Sequence, residues 1–165
     1  MIILSLDQSI SCTGYSVFND KKLLSYGTLH TKKQSFQEKV FDISSQIETL
    51  IKVHHVDLVL VETTFNHGNS ETFRKLSILE GVILKTSHYF NVPIIEIAPS
   101  QWRTYLTRNV RLPYHNSKRL KRNELKEMSK MLVKNKFGID VNDDISDSIT
   151  MALYYLDKQK DGDTK

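Results

Sequence analysis

The sequence predicts one α/β domain on a five-stranded mixed sheet, three antiparallel strands followed by two parallel ones, with helices on both faces. Three observations predict it. The first thirty residues contain three short β-type runs separated by turn residues. Two further apolar, β-branched runs, at 56–62 and 92–97, each follow a stretch of helical periodicity. The length, 165 residues, suits one domain with a full core.

Residues 2–7 read as the first strand, 14–18 as the second and 23–29 as the third, with Asn19-Asp20 marking a hairpin turn. Phe36, Val40, Ile43, Ile47, Leu50 and Ile51 repeat at helical spacing, which predicts a helix over 35–54. Residues 56–61 form a fully buried strand that ends at Glu62, and a polar loop follows at 63–69. Phe73, Leu76, Leu79 and Ile83 share a face of a long helix over 70–90. Pro93 lacks an amide hydrogen, so the strand at 92–97 starts there or lies at an edge. Pro99 opens a short helix to Leu106, and residues 107–116 make a basic loop. A polar helix is expected from about Ser117 to Lys136, stopped by Gly138. The last helix begins at Asp143 or Asp144 and runs to about Leu156. The expected domain spans 1–158, with a charged, frayed tail at 159–165.

Composition narrows the function. With Cys12 as the one cysteine, no disulfide framework or thiolate metal site can form within a chain. No signal-peptide pattern or membrane-length apolar run is present, so the expected location is the cytoplasm. The charge is polarised. Between Trp102 and Lys136 eleven basic side chains face only Glu124 and Glu127, a net +9 in a chain of +4, so the rest carries −5. Such a distribution fits a polyanion partner, nucleic acid above all. A solvated basic helix is the alternative, since Lys126, Lys130 and Lys134 recur at helical spacing.

Four acids carry the chemistry. Asp7 and Glu62 each end an apolar strand, where an unpaired carboxylate is costly. If the first and fourth strands are parallel neighbours, the two meet at the carboxyl ends, where such sheets form their sites. Asp144 and Asp147 stand three apart on one side of the last helix. Several converging carboxylates suit a divalent cation, and therefore metal-dependent phosphoryl chemistry. Singly, each has a plainer reading: Asp7 as a turn residue, Asp144 as an N-cap, Asp147 as a complement to the helix dipole.

These motifs resemble the RuvC family of Holliday-junction resolvases, in the ribonuclease H-like superfamily, over residues 1–157. Leu4-Ser-Leu-Asp7 followed by Thr13-Gly14-Tyr15 is similar to the family's first motif, and Val61-Glu62-Thr-Thr-Phe65 to its second. Asp144-Ile-Ser-Asp147 resembles the last. Gln8-Ser9 departs from the usual Pro-Gly, and Ser148 stands where alanine is common. The short length and divergent basic segment resemble a phage or viral branch, which would place the protein in a host cytoplasm.

The resemblance implies a junction-resolving endonuclease that makes paired symmetric nicks in four-way DNA. Asp7, Glu62, Asp144 and Asp147 would hold two Mg²⁺ about 4 Å apart, with Mn²⁺ expected to substitute. The family's phosphate-side lysine is best matched by Lys121, with Lys118 competing. Arg103, Arg108, Arg111, Lys118, Arg119, Lys121 and Arg122 are the expected DNA contacts. Phe65 is either a core residue closing the strand or a wedge that stacks at the branch point. The family forms homodimers. Leu79, Val82, Ile83 and Leu84 make helix 70–90 the dimer element, or else a helix buried within one subunit. Three other functions stay open: a less selective branched-DNA or flap nuclease, a non-catalytic DNA-binding protein, and a sugar-kinase-like phosphate-binding domain. The last needs about twice this length.

Overall fold

Antiparallel and parallel pairing meet at the first strand of the sheet. In the computed structural model, which describes residues 1–66, 68–112 and 120–162, five strands lie in the order β3-β2-β1-β4-β5. They are β1 (Ile2–Asp7), β2 (Cys12–Asn19), β3 (Lys22–His30), β4 (Leu58–Glu62) and β5 (Ile94–Ile97). The meander β1-β2-β3 is antiparallel, whereas β1-β4 and β4-β5 are parallel. The helices are α1 (Phe36–His54), α2 (Ser70–Tyr89), α3 (Pro99–Asn109), α4 (Arg122–Phe137) and α5 (Asp143–Gly162).

Side chains alternate across the strands and supply two cores. Ile3, Phe18, Leu58, Leu60 and Ile97 pack with residues of α3, α4 and α5 on one face. Leu4, Leu6, Val17, Val59 and Val61 pack with residues of α1 and α2 on the other. Burial on both faces explains why β1 and β4 read as continuous apolar runs. The expected five-stranded mixed sheet of the ribonuclease H-like type is therefore present, with helices on both sides.

Several boundaries differ from the sequence reading, each for a local reason. β4 starts at Leu58 because Asp57 is occupied otherwise: its carboxylate accepts from the Ile2 amide at 2.6 Å, and its own amide donates to the Ile2 carbonyl at 2.8 Å. β5 starts after Pro93, as an edge strand. α4 begins at Arg122, because the Glu124 carboxylate reaches back to the Lys121 amide at 2.6 Å and fixes the first turn there; the expected start at Ser117 lies outside the described residues. Gly138, at φ 72°, ends α4 in the left-handed conformation that glycine adopts without strain. α3 continues to Asn109 and α5 to Gly162, beyond the expected ends at Leu106 and Leu156. The two helices pack together through a Tyr105–Tyr154 edge contact and a 2.8 Å hydrogen bond from the Tyr105 hydroxyl to Asp157.

Candidate active site

The register of β1 and β4 brings the first two acids together. Leu6 is paired with Val61 across parallel strands, so Asp7 and Glu62, each the next residue, leave the same sheet end side by side. The loops beyond them are tied: Gln8 donates to the Glu62 carbonyl at 3.1 Å and to the Thr64 hydroxyl at 2.8 Å. Thr13 closes the loop between β1 and β2, donating to the Ser9 carbonyl at 2.8 Å and accepting from the Ser9 amide.

The other two acids come from the start of α5, which crosses β1 and β2. Gly14 is paired with Asp7, and a β-carbon there would overlap the Asp144 carbonyl. The missing side chain is what lets α5 descend onto the sheet. Asn142, not Asp144, caps α5, its side chain accepting from the Ile145 amide at 3.0 Å. That removes the capping explanation of Asp144. Asp144 instead accepts a 3.4 Å contact from the Cys12 thiol, whose pKa is raised by burial and then by that carboxylate.

The electrostatics show the four acids acting on one another. Burial pushes the Asp7 carboxyl well above its ordinary range, and the charges of Asp147, Glu62 and Asp144 push it further. Asp147 is raised to about 6, first by burial and also by Glu62, against the opposing influence of Ser129, Lys126 and Arg103. Its Oδ1 is buried without a hydrogen-bond donor among the described residues. Glu62 is better supplied: Oε1 accepts from the Trp102 indole at 2.9 Å and lies 3.5 Å from the Arg103 guanidinium. Among the described residues no three acidic, histidine or cysteine side chains already form a closed metal cage. The set nevertheless fits a divalent cation: it offers hard oxygen donors, two carboxyls destabilised as anions, and one orphaned buried oxygen.

The predicted basic residues divide. Arg103 lies at the site beside Glu62. Arg108, on a different face of α3, lines a separate cleft with Lys21, Tyr105, Tyr154, Asp157 and Lys158. Arg111, Lys121 and Arg122 are exposed before and at the start of α4. Lys118 and Arg119, like His67, lie outside the described residues. Phe65 is 49% exposed in the loop after β4, which rules out the core reading.

Sequence reasoning missed two residues. Lys126 is the α4 lysine whose charge opposes the raised pKa of both Asp7 and Asp147, and it pairs with Asp143 at 2.6 Å. Trp102 follows the end of β5 by five residues, and an aromatic so close after a strand end is the sequence signal that points to it.

Carboxylates at the ends of adjacent parallel strands, completed by acids from a helix across the sheet, define a ribonuclease H-like nuclease domain. The chain matches the family described as "Crossover junction endodeoxyribonuclease RuvC" over residues 3–155, and it belongs to that family of metal-dependent endonucleases. It is 26% identical to the RuvC of Ehrlichia chaffeensis over 164 residues, covering 97% of this chain and 99% of that one. The RuvC of Caldicellulosiruptor saccharolyticus is 24% identical over 162 residues, covering 94% and 92%. Among solved structures, Thermus thermophilus RuvC in complex with a Holliday junction substrate superposes with a TM-score of 0.74 at 18% identity, covering 97% of this chain and 96% of that one. The yeast mitochondrial Holliday junction resolvase Ydc2 gives 0.62 at 16% identity, covering 96% and 80%. Both share the fold of this chain.

Proposed function

We propose that this endonuclease resolves four-way DNA junctions as a symmetric homodimer, through paired phosphodiester hydrolysis dependent on Mg²⁺. The observation that supports it most directly is the meeting of Asp7, Glu62, Asp144 and Asp147 at one sheet end, where burial, and then the neighbouring acids, raise the pKa of Asp7 and Asp147. These four would hold two Mg²⁺, with Mn²⁺ as a substitute. When bound, the ions supply an activated water and stabilise the leaving oxygen.

The chain's own residues do the rest. Asp7 and Asp147 release their protons to become ligands, and the charges of Lys126 and Arg103 favour that release at Asp147. Before loading, the acid cluster repels a phosphate, so cleavage waits on the metal. Arg103, 41% exposed at the rim, is placed to meet the DNA backbone. Lys121 and Arg122 are exposed at the start of α4 and extend the basic surface; Lys118 and Arg119, which precede them in sequence, would add to the same DNA contacts. Phe65 projects from the loop after Glu62 and would stack on a base at the crossover.

One chain carries one such cluster, so two symmetric cuts call for two chains related by a twofold axis. Leu79 and Ile83 of α2 are buried in the subunit's own core, whereas Ile78 is exposed and Leu84 is half-buried. Ile78 and Leu84 are among the apolar residues that α2 leaves accessible to a second copy.

The test is cleavage of synthetic four-way, three-way and linear DNA with and without Mg²⁺, beside sedimentation equilibrium on the same junction. Paired nicks in the four-way substrate by a dimer are expected. Asp7→Asn should still bind the junction but nearly stop cutting. A species that stays monomeric on the junction and nicks once would instead indicate a flap or branch nuclease.

A further inference from the structure

Trp102 is 4% exposed and sits in the core between the sheet and α3–α5, with Ile97 and Leu106 in the same cluster. A buried indole N–H has no water to bond and needs a protein acceptor. It has one: Glu62 Oε1, at 2.9 Å. The Arg103 guanidinium lies over the same indole, 5.2 Å from the ring centroid, and 3.5 Å from the same carboxylate oxygen. Both donors therefore meet Oε1, and Oε2 bonds to neither.

The two donors are not equivalent. An arginine partner attracts Glu62 but also offsets the negative charge that a cation requires. The indole is neutral. It fixes the carboxylate's rotation and leaves its charge available. It is also held by packing on a helix, whereas Arg103 is 41% exposed and free to turn toward DNA. Groups that orient a metal ligand through its other donor atom are typically worth tenfold to a hundredfold in metal affinity or activity.

We infer that Trp102 is the positioning residue of the metal site: its indole N–H occupies Oε1 of Glu62 and turns Oε2 toward the ion. The inference rests on the reading of Glu62 as a metal ligand. It has a second consequence. Trp102 is the chain's one tryptophan, so the protein's indole fluorescence reports directly on the Glu62 carboxylate.

The experiment uses the full chain as wild type, Glu62→Gln and Trp102→Phe, with metal binding read in the absence of DNA. Mg²⁺ added to wild type should change the tryptophan emission saturably, and Glu62→Gln should abolish the change. Calorimetry with Mn²⁺ should show binding weakened about tenfold or more in Trp102→Phe, while junction binding without divalent metal stays within about twofold, as expected when the phosphate contacts are untouched. If Trp102→Phe lowers the melting temperature markedly, benzothienylalanine at position 102 keeps the ring shape and removes only the N–H donor; it should weaken Mn²⁺ binding in the same way. Wild-type Mn²⁺ affinity in a folded variant lacking the N–H overturns the inference. Unchanged Mn²⁺ binding by Glu62→Gln would instead overturn the ligand reading of Glu62 itself, so the two failures are told apart.

Discussion

Gly14 and Asp144 are in main-chain contact: the α-carbon of the glycine in β2 is packed beneath the carbonyl of the aspartate in α5, with no room for a β-carbon. Because Gly14 is also the register partner of Asp7, this contact fixes how closely the helix acids approach the strand acids. Gly14→Ala should lift the start of α5. Overpacking of this kind costs about 1–3 kcal/mol. A lower melting temperature is expected, with cleavage falling by more than the stability loss explains. Wild-type single-turnover rates in this variant would show that the approach of α5 does not govern the site.

The raised carboxyls set a pH dependence for the metal-free protein. Asp147 has an ordinary value of 3.8 and is raised to about 6, and Asp7 is raised as well. Between those values the folded state keeps a proton that the unfolded chain has released. This contribution to stability is full below 3.8 and is lost as the pH rises through about 6. The metal-free melting temperature should therefore decline over that window, and Asp147→Asn should flatten the decline. Mg²⁺ should restore more stability at pH 7 than at pH 5, because its ligands must be deprotonated. Parallel melting profiles for wild type and Asp147→Asn would contradict the assignment.

Phe65 is half exposed, so Phe65→Ala should change stability by no more than about 0.5 kcal/mol. If the ring stacks at the crossover, junction cleavage should fall by about tenfold, since base–aromatic stacking is worth roughly 1–3 kcal/mol. 2-Aminopurine at the branch point should brighten with wild type and stay dim with the variant. Equal brightening with both proteins would remove the wedge role.

Replacing Lys118, Arg119, Lys121 and Arg122 together should weaken junction binding and flatten its salt dependence, by about 0.9 in logarithmic slope for each phosphate that is no longer neutralised. Arg103→Ala should flatten the slope by about the share of a single phosphate and also slow cleavage, because Arg103 adjoins Glu62. Binding titrations between low and moderate salt give the slope. An unchanged slope in the fourfold variant would place the DNA on another surface.

The order of the elements, the four acids at their ends, the helix stop at Gly138 and the basic character of the segment before and within α4 are all legible in the residues alone. Each of these is written locally. Hydrophobic period distinguishes strand from helix, a charged residue after an apolar run marks where burial ends, and glycine marks a turn that other residues resist. What those residues meet is a matter of long-range packing. The adjacency of β1 and β4 makes neighbours of Asp7 and Glu62, although 54 residues separate Gln8 from the Glu62 carbonyl it bonds. α3 brings Trp102 to Glu62 across 40 residues, and α4 brings Lys126 to Asp143 across 17. Arg108, five residues from Arg103 on the same helix, emerges on a different face, and the packing of α5 makes a separate cleft of that face. Periodicity encodes only the face on which a side chain emerges. Its hydrogen-bond partner depends on which element covers that face, and how closely that element approaches is settled by packing, as at Gly14.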